Sequence, residues 1–307
     1  MWVSRKGVSR VKRCSLIGMV VLLAVWLRPL PVFAETGETP VLTWSGCGIT
    51  LKAFMAEIAE AFEKKTGISV RIMGGGATLG IRAVAAGTSD VGGTCRHWLG
   101  GVEHKDPQEV GTELIQIAWD AIVVIVHPAN PLTDIRLTDL KKIFDGEIVS
   151  WRELGGPDRK IALVERFGNE SGVGYMFRLM VFGDGNYDFK ARSYQVKSTG
   201  PVEKKVIKTE TALALDGSSS ARRLPVKILA LNGVAPTRAN VASGRYPLFR
   251  PLYLAVGPNP SPPVKQLIDF ILSPEGQAVI AAQETVNLEE GRALVPLWEK
   301  RKKELGL

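Results

Sequence analysis

The chain has 307 residues, 45% of them hydrophobic and 23% charged, with 32 glycines, three cysteines and a formal net charge of +8. That composition excludes a disordered, collagenous or coiled-coil chain, and the length is enough for two domains that each bury a core. Three cysteines are too few to frame a small disulfide scaffold.

The charge is concentrated at the start. Residues 1–34 hold Arg5, Lys6, Arg10, Lys12, Arg13 and Arg28 and no acid; they also hold the apolar run Cys14–Leu27, then Pro29, Pro31 and Val32-Phe33-Ala34. A basic segment, a short apolar core and a small residue at the cut describe a cleavable secretory signal peptide. The 14-residue apolar run falls short of the span needed for a membrane anchor, which is ~20 residues. Cys14 precedes the apolar run, whereas a lipid-bearing cysteine would follow it, and no twin arginine is present. The general secretory route is therefore expected. Without residues 1–34 the chain carries 33 basic and 31 acidic residues, a net charge of +2 over 273 residues. A nearly neutral chain gives no footprint for nucleic acid. The mature protein is expected to be soluble in a periplasmic or other extracytoplasmic compartment, where Cys47 and Cys95 meet oxidising conditions.

The predicted elements begin with a strand at Val41–Trp44 and a turn at Ser45–Gly48. Leu51, Phe54, Met55, Ile58, Ala59 and Phe62 then recur at helical spacing, with Thr50 as the predicted N-cap and Gly67 as the stop. Ile68, Val70 and Ile72 alternate as a strand, and Gly74-Gly75-Gly76-Ala77-Thr78 turns into a helix ending near Gly87. This strand–helix alternation is the rhythm of a parallel α/β sheet. The β-branched run Ile115–His127 predicts a central buried strand. Short helices are predicted at Thr138–Phe144 and Ser171–Phe182, strands at Ile161–Val164, Val226–Leu231 and Leu252–Val256, and a helix over Pro263–Ala282 broken at Pro274. Residues 184–225 carry little pattern.

Thr50, Thr78 and Ser171 each fall at or just before a predicted helix N-terminus, after a strand and glycine. Each reads either as a simple N-cap, worth about 1 kcal/mol, or as part of an anion site, because helix N-termini present free N–H groups and a positive dipole end. Arg96 and Arg166 lie near such turns, and guanidinium suits tetrahedral oxyanions. The glycine turn lacks both nucleotide-binding spacings.

These segments carry a resemblance. GGGATLGI (74–81), TSDVGGTCR (88–96), LTDLKKIFDGEIVSWRELGG (137–156), ERFGNESGVGYMF (165–177), NGVAPTRANVASGRYPLFRPLYLAV (232–256) and LSPEGQ (272–277) are similar to the periplasmic phosphate-binding proteins of ABC phosphate importers, within the type II periplasmic binding-protein class. The match spans about residues 41 to 283. It implies a two-lobed α/β fold, mostly parallel sheet in each lobe. One lobe would comprise 40–122 and 254–307, the other 123–253, with crossings near Asp120–Ile122 and Tyr253. It also implies ligand contacts from Thr50, Leu51, Thr78, Thr94, Cys95, Arg96, Arg166, Ser171, Gly172 and Val173. The first and third strands are neighbours in that fold, which makes a Cys47–Cys95 disulfide an expectation, with two buried thiols behaving as small apolar residues as the alternative.

The resemblance further implies a monomer that captures an inorganic oxyanion, phosphate first, and hands it to a membrane ABC permease. Cys95 stands where some members place a proton-accepting aspartate, Val173 replaces a threonine, and Arg166 lies five residues before Ser171 rather than four. Sulfate, molybdate or tungstate therefore stay open as ligands, as does a sensor that does not transport. Asp90 is expected to serve the fold and Glu170 to pair with Arg166. A catalytic Cys95 with His97 as base is the enzyme alternative; the expectation is no enzyme, no cofactor and no metal, since no Cys/His spacing suits zinc or c-type haem.

Overall fold

The computed structural model describes residues 40–307, so the expected signal peptide lies outside the described residues. β1 (Val41–Gly46) leads into a helical stretch that starts as α1 (Gly48–Thr50), widens to a π turn over Leu51–Met55 and continues as α2 (Ala56–Thr66). β2 (Ser69–Met73), α3 (Ala77–Ala85), β3 (Val91–Thr94) and the long β4 (Glu113–Val126) follow. Next come β5 (Asp134–Ile135), α4 (Leu137–Phe144), β6 (Ala162–Arg166) and α5 (Gly172–Phe182). The stretch without sequence pattern folds as β7 (Tyr194–Val196), α6 (Thr199–Lys208), β8 (Ala212–Gly217) and α7 (Ser218–Ala221). β9 (Lys227–Ile228), β10 (Ala230–Leu231) and α8 (Arg238–Ala242) precede β11 (Phe249–Val256), and α9 (Pro262–Leu272), α10 (Pro274–Ala282) and α11 (Leu294–Leu305) end the chain.

Local chemistry accounts for most boundaries. α2 buries Ile58 and Phe62 and stops where Gly67 takes φ 77 and its N–H returns to Glu63 O at 2.8 Å. Ser171 caps α5 by accepting from Gly174 N at 3.1 Å, and Gly183 at φ 78 ends it. Pro274 separates α9 from α10 as expected, since it cannot continue the first helix but can open the second. Thr50 is not the cap: Cys47 caps α1, its Sγ accepting from Thr50 N at 3.4 Å, so Thr50 lies inside the helix.

The strands join in the order β2-β1-β3-β11-β4-β8-β6-β7, with β9 also on β4. β4 changes partner along its length. Glu113–Ala121 pairs with β11 and Ile122–Val126 pairs with β8, so one strand belongs to both halves of a two-lobed α/β fold. β1 pairs in parallel with β2 and β3, and β6 with β7 and β8, whereas β4 and β11 insert antiparallel. The sheet is thus more mixed than the mostly parallel one expected. Ile117 to Val126 are all buried, which explains the unbroken apolar run.

At the change of partner Ile122 N donates to Leu248 O at 2.9 Å and Tyr246 OH donates to Ile122 O at 3.0 Å. Tyr253 sits mid-strand, paired with Thr94 on one side and Gln116 on the other. Phe249, the first residue of β11, already pairs with Ala121 of that half. Trp44 packs under this half, fully buried, and the absence of side chains at Gly46 and Gly93 makes room for its ring. Among the described residues no helix is long and apolar enough to cross a membrane.

Candidate anion-binding site

The carboxyl ends of β1, β3 and β6 converge with the starts of α3 and α5, the place where α/β sheets bind ligands. The two halves touch there. A Cβ on Gly172, at the start of α5, would lie 2.5 Å from Cys95 Sγ and 2.9 Å from Ala77 Cβ. Thr78 Oγ1 donates to Glu170 O at 2.7 Å, and Arg250 Nη1 donates to both Cys95 O (2.8 Å) and Gly172 O (3.2 Å).

Arg166 ends β6 and turns toward this junction, its Nη2 3.4 Å from where a Cβ of Gly76 would stand. Its Nε is buried without a hydrogen-bond partner, and among the described residues no carboxylate neutralises it. Burial lowers its pKa, and the thiols of Cys95 and Cys47 oppose that fall. The expected Glu170 partner is taken by Arg82, at 3.1 Å. Ser171 Oγ accepts from Gly174 N, which leaves the serine proton for another acceptor. Val173 is buried beside Ser171, and Arg166, Ser171 and Val173 share the wall of a cavity of about 30 Å³.

Arg96 is committed elsewhere. Fully buried, it pairs with the equally buried Glu109 (Nη1–Oε2 3.1 Å) and donates to His97 O at 2.8 Å and Thr78 Oγ1 at 2.9 Å. The Thr78 hydroxyl is used in both directions, by Arg96 and by Glu170 O. Thr94 Oγ1 accepts from Arg96 N at 3.3 Å and donates to Arg96 O at 3.2 Å. Thr50 Oγ1 donates to Cys47 O at 3.0 Å, and Leu51 is half-buried against the core. The structure thus gathers Thr50, Thr78, Cys95, Arg166, Ser171, Gly172 and Val173 around the junction, the Thr78 hydroxyl already engaged by Arg96 and Glu170 O, and holds Thr94 and Arg96 in the scaffold beneath it. Asp90 serves that scaffold too, its Oδ2 accepting from Thr43 N (2.7 Å) and Thr43 Oγ1 (2.6 Å).

Cys47 and Cys95 are buried free thiols, so the expected disulfide is not formed in this structure. They lie at the ends of neighbouring strands, where Cys47 N donates to Gly93 O at 3.1 Å. Burial raises the Cys47 thiol, but hydrogen bonds with Cys95 and Thr50 and the charge of Arg250 outweigh it and bring the pKa to about 6. Cys95 moves the other way, raised by its hydrogen bond to Cys47 and by burial. His97, the base of the enzyme alternative, packs edge-on to Trp98 and Tyr253, and burial pulls its pKa to about 4.

Two residues escaped the sequence reading. Arg250 is fully buried on β11 and reaches Asp120 Oδ2 at 3.4 Å, while Asp120 Oδ1 accepts from Ser218 Oγ (2.7 Å) and Ser219 N (3.0 Å). They tie β4, β11, α7 and the junction together at the change of strand partner. The signal was present as one acid inside the run IQIAWDAIVVIVH and one arginine inside PLFRPLYLAV, because a charge in a doubly buried strand needs a partner.

A family model described as a PBP superfamily domain matches residues 34–275. The phosphate-binding protein PstS of Bacillus subtilis is 26% identical over 246 residues, covering 79% of each chain. PstS of Borreliella burgdorferi is 30% identical over 187 residues, 58% of this chain and 67% of that one. A Clostridium perfringens structure with bound phosphate, described as a phosphate ABC transporter substrate-binding protein, aligns at TM-score 0.71 and 29% identity over 80% of this chain and 99% of its own. With a family model running across most of its length and the same architecture in a relative solved with its ligand, this chain belongs to the PBP superfamily.

Proposed function

We propose that this chain is an extracytoplasmic substrate-binding protein that captures phosphate for an ABC importer. The observation that carries the reading is Arg166, a partly buried guanidinium with no carboxylate partner among the described residues, at the meeting point of the two halves. Such a charge is costly unless a counter-ion meets it, and its planar fork fits a tetrahedral oxyanion. The Ser171 proton and the free N–H groups opening the 11-residue α5 lie beside it. Thr50 and Leu51 supply the opposite side, and Cys95 and Gly172 form the floor. Relatives named for phosphate binding point the same way.

The lobes are residues 40–122 with 249–307 and residues 123–248, a boundary a few residues earlier than expected, because Phe249 already pairs with Ala121. Ile122 and Leu248, side by side at both crossings, are the hinge, and closure around the anion is the state a membrane permease recognises. The protein works as a monomer, without catalysis, cofactor or nucleic acid. A second reading, another tetrahedral oxyanion, is favoured by one observation: the groups acting on Arg166 are the thiols of Cys95 and Cys47 rather than a carboxylate that accepts the proton of hydrogen phosphate. Calorimetry of the mature protein with phosphate, sulfate, arsenate, molybdate and tungstate separates the two. Tight phosphate binding with scattering-detected compaction supports the first, preference for a fully ionised anion the second, and indifference to all five refutes both.

A further inference from the structure

We infer that Cys47 and Cys95 form a reversible dithiol–disulfide switch beneath the anion site, and that closing the disulfide raises oxyanion affinity. The inference rests on the oxyanion reading of Arg166. Three observations carry it. The two thiols are the only cysteines of the described chain, and they end neighbouring parallel strands whose backbones meet through Cys47 N and Gly93 O. Each sulfur also holds a piece of the site. Cys47 Sγ accepts from Thr50 N at 3.4 Å and lies 3.3 Å from Thr50 Oγ1, while Cys95 Sγ sits against Gly172 at the start of α5. Finally, the charges around them are the guanidiniums of Arg166 and Arg250 and the carboxylate of Asp120, so a thiolate here is an internal counter-ion for the cations that would hold the ligand.

The chemistry is thiol–disulfide exchange with a small-molecule disulfide of the oxidising compartment. The Cys47 thiolate attacks one sulfur of that disulfide and expels the other half as a thiolate, which takes up a proton. The deprotonated Cys95 then attacks the Cys47 sulfur of the mixed disulfide and expels the second half, which takes the Cys95 proton. The protein pair loses two electrons, and the small disulfide gains them as two thiols. Both sulfurs are buried, Cys47 at 3% and Cys95 at 1% exposure, so the exchange requires the two halves to part at the Cys95–Gly172 contact. Once bonded, Cys47 Sγ turns from Thr50 toward Cys95. The Thr50 N–H is released, and the negative charge beside Arg166 is gone. Both changes favour an incoming anion.

The test uses the full mature protein, purified without reductant, then incubated ligand-free with oxidised or reduced glutathione. Intact mass and free-thiol titration read the bond, and calorimetry with inorganic phosphate reads the site. Loss of both thiols, a mass lower by two hydrogens and phosphate binding about tenfold tighter, reversed by dithiothreitol, are expected. Cys95→Ser, and separately Cys47→Ala, should abolish the response of affinity to oxidised glutathione, and if either variant fails to fold the wild-type comparison stands alone. Thiols that persist in oxidised glutathione, or a disulfide that forms with phosphate affinity unchanged or weakened, overturn the switch and leave the oxyanion reading standing. Indifference to phosphate, sulfate, arsenate, molybdate and tungstate in both redox states overturns that reading, and the affinity claim with it, even where mass shows the disulfide.

Discussion

Arg250→Met should be among the most destabilising single changes in the protein. The side chain is completely buried and serves three acceptors: Cys95 O at 2.8 Å, Gly172 O at 3.2 Å and Asp120 Oδ2 at 3.4 Å. Methionine fills much of the volume but supplies no donor. Two buried carbonyls lose a charged donor, and Asp120, itself 2% exposed, keeps only Ser218 and Ser219 to hold its charge. Breaking a buried pair from one side costs about 3–5 kcal/mol. For a chain of this size each kcal/mol moves Tm by about 2–4 °C, so a fall of roughly 10 °C is expected. Asp120→Asn makes the contrast. Its amide oxygen still accepts from Ser218 and Ser219, and Arg250 keeps both carbonyls, so the loss should be about 1–3 kcal/mol. Urea unfolding of wild type and both variants gives the ordering. Arg250→Met within about 1 kcal/mol of wild type, a clear departure from the cost above, or Asp120→Asn the worse of the two, would refute the reasoning.

Arg166→Ala should weaken phosphate binding by tenfold to a hundredfold or more, the scale of lost hydrogen bonds to a charge, while leaving thermal stability close to wild type because no carboxylate depends on it; calorimetry paired with thermal melts checks both halves. Gly172→Ala should cost about 1–3 kcal/mol through overpacking, since the new methyl group meets Cys95 Sγ and Ala77 Cβ, and Cys95→Ala in the same chain should recover part of it. His97, held neutral by burial and by Lys302, Lys105 and Arg96, has its pKa lowered from 6.5 to about 4. Its contribution of about 3 kcal/mol is therefore complete above pH 6.5 and is lost as pH falls toward 4. His97→Gln should flatten that part of the stability–pH curve in urea unfolding, and an unchanged slope would count against the assignment.

Much of the fold was written locally. The apolar run through β4, the stripe of α2, the Ser171 cap and Gly183 stop of α5 and the Pro274 break each depend on residues within a turn or a strand, and periodicity with capping chemistry reads them directly. α6 and β8 did not show, because α6 mixes Lys204, Lys205 and Lys208 with a buried side of Val202, Val206 and the charged Glu203, and β8 is a strand only through its neighbours β4 and β6. The site divides along the same line. That hydroxyls and arginines cluster at helix starts was visible in the chain, but which of them remain available was not. Arg96 is spent on Glu109, thirteen residues away, Arg82 takes Glu170 across 88, and Arg250 closes on Gly172 across 78. Arg166 is left without a carboxylate, and the two thiols are brought under it. Such availability is decided by long-range packing, because a buried charge is satisfied by whatever the fold sets within about 4 Å of it, and sequence spacing carries no record of that distance.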